Sequence, residues 1–433
     1  MTKRKTLRIG FAGFVIATVF SILSHSRSAT TEQLSDTAFS GSLDHPAIQY
    51  GNRAPTDRVT QLNRKIANDQ LRLTFTQTDG YLRSLLAELR IPVESQIMVF
   101  SKTGIQGALT GPNNPRALFF NDAVVVGYVR GAPILEIAEH DAEQGVSFYT
   151  LDQTSQTYPA LVRRDTCLSC HLSFNSLDVP GFLVRSAFVA SDGRTLPQLG
   201  SYLIDHRSPL DQRWGGYYVT GSAGSMRHMG NATVKDFEKP ESMITDETLH
   251  LKSLESTFDT RGYPTNQSDI VALMVFDHQA RMLNLLTRVG WEVRVALYEQ
   301  RLKLSEGFLH DAINELADYL LFTDEVPLAG PVRGSSGFTE LFSAQGPRDS
   351  KGRSLRQLDL ETRLFRYPCS YMVYSNAFDA LPSEAKAAIY ERMADILSGR
   401  DKNPRYGRFS AVDRQAIIEI LRDTKKDLPT TFG

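Results

Sequence analysis

Two thiols and an imidazole stand together in Cys167-Leu168-Ser169-Cys170-His171. A Cys-x-x-Cys pair can exchange a disulfide, supply half of a zinc tetrahedron, or add to the two vinyl groups of a haem. The histidine that follows at once separates these chemistries. In haem attachment two thioethers fix the porphyrin edge, and the next imidazole falls under the ring and ligates the iron. A thioredoxin-type pair has no use for that histidine and fits the loop-rich context less well. Zinc needs two more ligands, and the chain has no second Cys-x-x-Cys.

The pattern resembles that of c-type cytochromes. The resemblance is firm over those five residues and loose around them, so it names a cofactor rather than a whole fold. It implies one covalent haem c with its iron, Cys167 and Cys170 as the anchors, and His171 as the proximal ligand. A single motif implies a single haem of this type. The third cysteine, Cys369, then has no partner within the chain and reads as a small buried apolar residue.

Function turns on the other axial position of the iron, because a Met or second His closes it for electron transfer and an open position admits small ligands. Several tens of residues after the motif comes Ser225-Met226-Arg227-His228-Met229-Gly230, which makes Met226, His228 and Met229 distal candidates. A second source is Met274, His278 and Met282, spaced i, i+4, i+8 on one helix face, with His278 the leading candidate and core filling the competing reading. His206 in Asp205-His206-Arg207 is a third source, or a turn residue. The run from Arg207 to Tyr218, rich in Arg, Trp and Tyr, reads equally as a haem-pocket wall or as core aromatics.

The elements that must position these residues follow from pattern. Residues 1–29 read as a signal peptide or N-terminal anchor: Lys3, Arg4, Lys5 and Arg8 precede an apolar run at 9–23, and no favoured cleavage site follows. This places the body outside the cytoplasm, periplasmic or otherwise exported, touching a membrane only through such an anchor. Export agrees with the side of the membrane on which haem is attached to such motifs in bacteria. Residues 30–56 read as an extended arm, 57–164 as an α+β region, 165–265 as the haem-binding segment, and 266–433 as helical. Short β-prone runs begin at Ile97, Ala117, Val124, Ile134 and Val146, separated by turn residues. Helical periodicity marks 270–304, with Gly290 as a candidate break, and then 309–321, 383–397 and 411–423. Pro327 to Gly352 reads as a linker, and Ser383 and Gly399 as a cap and stop pair. The fold class is therefore α+β: a small antiparallel β region, a loop-rich segment, and a mainly helical C-terminal half.

With 48 basic and 49 acidic side chains there is no overall basic field to attract nucleic acid. No phosphate loop, dinucleotide fingerprint or nucleophile elbow occurs in a supporting context. The leading expectation is an extracytoplasmic cytochrome that passes single electrons to redox partner proteins. Two alternatives stand beside it. One is a haem enzyme or gas-binding protein, peroxidase-like or similar in element order to β-sheet cytochromes c′. The other is a protein-interaction module stapled by haem.

Overall fold

Alternating apolar residues build two buried faces on one sheet. In the computed structural model, which describes residues 43–432, strands β1 (Ile97–Val99), β2 (Arg116–Phe120), β3 (Val124–Val129), β4 (Ile134–Asp141), β5 (Gly145–Asp152) and β6 (Leu161–Arg163) form an antiparallel meander. β7 (Arg185–Ala187) and β8 (Ser201–Leu203) make a separate ribbon, and β9 (Tyr217–Tyr218) pairs with the free side of β1. The result is an α+β fold with a seven-stranded antiparallel sheet. The sheet is larger than the β-prone runs indicate, because β6 has three residues and β9 two, too short to show a period. The expected signal or anchor, and residues 30–42 of the arm, lie outside the described residues. Among the described residues no helix is long and apolar enough to cross a membrane.

One sheet face carries Met98, Phe119, Val126, Ile137 and Tyr149, and packs with α1 (Arg58–Ala67) and α2 (Leu82–Glu88) through Val59, Leu62, Leu82 and Leu85. The opposite face presents Ile97, Phe120, Val125 and Phe148 to the larger core. Cover on both sides explains why β3 is buried along its whole length. The motif turn, α3 (Leu168–His171), follows the meander.

The larger core is organised by α4 (Ile270–Tyr298). Asp269 caps it by accepting from the amides of Val271 and Ala272, at 2.7 and 3.2 Å. Helices α5 (Gly307–Leu320), α6 (Phe338–Ala344), α7 (Asn376–Asp379), α8 (Ser383–Ser398) and α9 (Ala411–Thr424) complete the C-terminal half. α4 does not break at Gly290; a side chain there would crowd Leu381 and Arg294. The segment expected to be a linker holds α6, whose Phe338 and Phe342 are buried one turn apart; its Gly, Pro and Ser content hides that period. Gly399 ends α8 in the left-handed conformation, as expected. Ser383 is already inside that helix, and its hydroxyl turns to Glu384 instead of capping.

α4 is tied to the sheet by a buried hydrogen-bond chain. Thr287 Oγ1 donates to the carbonyl of Leu283 at 2.9 Å and so accepts from His140 Nε2 on β4 at 2.8 Å. Burial pushes the His140 imidazole down from 6.5 to about 4. The unfolded chain then binds a proton that the folded chain refuses, so this group's contribution is intact above pH 6.5 and lost as pH falls toward 4. Replacing His140→Gln keeps a donor for Thr287 and removes the titration. Urea unfolding between pH 4.5 and 6.5 should show the slope of stability against pH reduced by up to one proton, about 1.4 kcal/mol per pH unit.

Candidate haem-binding site

A 3-10 turn, Asp165–Cys167, runs straight into α3. Helical spacing puts Cys170 (i+3) and His171 (i+4) one turn on from Cys167, on the two rows that flank it. Both thiols are free; Cys170 is exposed and Cys167 half-buried. Burial, reinforced by the Glu136 carboxylate, raises the Cys167 thiol above its ordinary value. Leu168 anchors the turn from behind against a cluster of Ile48, Tyr50, Val179 and Trp291, so part of the N-terminal arm packs in this region.

The imidazole of His171 is held in a defined state. Its Nδ1 lies 2.9 Å from the carbonyl oxygen of Gly181. A carbonyl only accepts, so Nδ1 carries the proton and Nε2 keeps its lone pair. Among the described residues nothing hydrogen-bonds to that Nε2. Burial lowers the ring's pKa, which keeps the imidazole neutral. Phe148 flanks the ring, with centroids 4.7 Å apart.

The loop that supplies the carbonyl is pinned at each residue. Val146 of β5 donates to Pro180 O at 2.9 Å, and Gly181 N donates to His171 O at 3.0 Å. Asn284 of α4 takes both polar groups of Phe182: its Oδ1 accepts from the amide at 2.9 Å, and its Nδ2 donates to the carbonyl at 2.8 Å.

Beside the motif the sheet is only partly covered. Leu118, Gly127, Glu136, Thr150 and Val162 stand in register across β2 to β6, with Leu118 and Glu136 half-buried and Val162 44 % exposed. Glu136 pairs with Arg116 at 3.1 Å and accepts from Gln106 at 3.0 Å. The fields of Arg116 and Glu136 both reach His171. Exposed and half-buried thiols and a neutral imidazole with a free Nε2, beside a mixed sheet face that sets Leu118 and Val162 next to Glu136 and Thr150, form a donor set that fits a covalently held haem.

The distal candidates are dispersed. His228 is buried edge-on to Trp214, and its Nδ1 accepts from the Gly230 amide at 3.1 Å, which places the proton on Nε2, the reverse of His171. Met229 is buried among Phe188, Leu196 and Val234, its sulfur accepting from Ser186. Met226 is half-buried, its sulfur 3.2 Å from the Ala329 amide. His278 lies deep in α4 with both nitrogens engaged: Nε2 is 2.7 Å from Ser370 Oγ and Nδ1 is 2.9 Å from His206 Nδ1. It stacks against Tyr319 and Phe322. Among the described residues, no hydrogen bond or ring contact joins Met226, His228, Met229, His278 or His206 to the motif. Met274 and Met282 are core residues.

Trp214 and Arg213 also belong to the core. Trp214 Nε1 donates to Asp277 Oδ2 at 3.0 Å, with the Arg213 guanidinium 3.5 Å from the same oxygen. Burial outweighs these partners and pushes the Asp277 carboxyl up to about 7. Gly181, Asn284 and the Arg116–Glu136 pair were not indicated by motif reading. The one available signal was Asn284 itself, an amide in the apolar run Met282-Leu283-Asn284-Leu285-Leu286.

No known family model matches the chain, and no curated protein or solved structure matches it either. Among the described residues, no group of three or more His, Cys, Asp or Glu side chains is placed to hold a bare metal ion.

Gly181 packs directly on Asn284: a Cβ there would lie 2.4 Å from Asn284 Oδ1. The Gly181→Ala variant should therefore lose about 1–3 kcal/mol of stability, the usual cost of overpacking, measured by chemical unfolding against the parent.

Proposed function

We propose that this chain is an extracytoplasmic c-type haem protein that holds one covalent haem c and exchanges single electrons with redox partner proteins outside the cytoplasm. The tautomer of His171 carries the reading. Gly181 holds the Nδ1 proton, and Nε2 is left free beside two reachable thiols. In this role Cys167 and Cys170 form the thioethers and His171 Nε2 ligates the iron. When bound, the haem supplies a one-electron couple, with a potential tuned by ligation, burial and hydrogen bonding.

The protein's own part is to orient and tune. Gly181 fixes the ligand ring, Phe148 flanks it, and the Arg116–Glu136 pair places opposite charges beside it. With 48 basic and 49 acidic residues, nothing in the overall charge directs the chain to nucleic acid.

A second reading, an iron with an open distal position and small-ligand chemistry, draws support from one observation. His278 has both nitrogens engaged, and His228 has its proton on Nε2. Either would have to give up a hydrogen bond or change tautomer to ligate.

Expression in a host with haem-attachment machinery tests both readings. The mature polypeptide should gain the mass of one haem, and the Cys167→Ser/Cys170→Ser variant should gain none. A six-coordinate low-spin ferric spectrum is expected for the electron carrier. A high-spin spectrum with rapid carbon monoxide binding would replace it with the open-site reading. A colourless wild-type protein without added mass would end the haem assignment.

A further inference from the structure

The carbonyl that faces His171 and the amide gripped by Asn284 belong to the same peptide unit. Gly181 C=O and Phe182 N–H are opposite ends of one planar group, so fixing either end aims the other. Asn284 Oδ1 accepts from the Phe182 amide at 2.9 Å while the Gly181 oxygen, across that peptide, lies 2.9 Å from His171 Nδ1. The second arm of the Asn284 amide donates to Phe182 O at 2.8 Å and prevents the side chain from turning. Asn284 is only 2 % exposed, so water does not compete for these bonds. Donation by the amide also polarises its carbonyl, making it a better acceptor for the imidazole proton.

We infer that Asn284 is a positioning residue for the iron ligand, acting through the Gly181–Phe182 peptide to hold His171 in its ligating tautomer and to strengthen the electron donation of its ring; this rests on the haem reading above. A firmer Nδ1–H bond raises the basicity of a ligating imidazole and favours the oxidised metal. Loosening the peptide should move the potential the other way.

The test uses the full-length holoprotein. Asn284→Leu keeps the bulk and removes both hydrogen bonds. Covalent haem should be retained, the midpoint potential should shift positive, and the His171 Nδ1 proton should exchange with deuterium roughly tenfold faster in the ferrous protein, as loss of an ordinary hydrogen bond implies. If that variant does not accumulate, Asn284→Ser, too short to grip both ends, is read in the same way. Asn284→Asp at pH 5, where a buried carboxyl stays protonated and offers a donor and an acceptor, should return the potential toward wild type. Thr287→Val is the structural control: it breaks the buried bond to His140 in the same helix and should lower stability without moving the potential.

An unchanged potential and unchanged exchange in the haem-bearing Asn284→Leu or Asn284→Ser protein would overturn the inference. So would an equal shift in Thr287→Val. Absence of haem from the wild-type protein is a separate outcome, and sinks the parent reading instead.

Discussion

A helix buried on nearly every side has no water to satisfy its polar side chains, and α4 turns that constraint into a scaffold. Gln279 donates to Asn121 O and accepts from Tyr371. Asp277 receives Trp214, His278 meets Ser370 and His206, Asn284 closes on Phe182, Thr287 bonds His140, and Trp291 donates to Glu143 O. Together these groups reach several separate parts of the chain, from the β4–β5 corner to the segment at Ser370 and Tyr371. Loops with little regular structure of their own thereby acquire fixed places against one rigid rod.

The motif is one beneficiary. α3 has only four residues, too few to be stable alone, and its side chains gain direction from what surrounds them. Leu168 seats the turn, Phe148 flanks the imidazole, and the clamped peptide fixes the tautomer. The contrast with His228 is instructive. Burial disfavours the charged form of both imidazoles, yet a carbonyl opposite one Nδ1 leaves Nε2 with a free lone pair, whereas an amide opposite the other Nδ1 engages that lone pair and puts the proton on Nε2. Residue type alone does not say which histidine can bind a metal; the polarity of the neighbouring backbone group does.

Sequence reading recovered what local pattern encodes. The runs beginning at Ile97, Ala117, Val124, Ile134 and Val146 are strands, the C-terminal half is helical, and Gly399 stops its helix. It missed what depends on distant pairing. β9 exists because Tyr217 and Tyr218 find β1 across more than a hundred residues of chain, and α6 persists because two phenylalanines are buried. At the site, Cys167, Cys170 and His171 were legible because covalent chemistry imposes their spacing. Gly181 and Asn284 were not, since their meeting is a tertiary event joining a loop to a helix a hundred residues later. The distal candidates came from composition within loops and along a helix face, and the structure gives them partners other than the motif residues, His278 and His206 being bonded to each other.

β9 completes the sheet from a position well beyond the motif. Without those two tyrosines, β1 would keep a bare backbone edge on the apolar run Ile97-Met98-Val99, the sort of edge that recruits another copy. A chain that ended between the meander and Tyr217 would leave that edge open to a neighbour. Protection of that edge therefore rests on chain that lies beyond Cys167 and Cys170, so the sheet that precedes the motif is finished by residues that follow it.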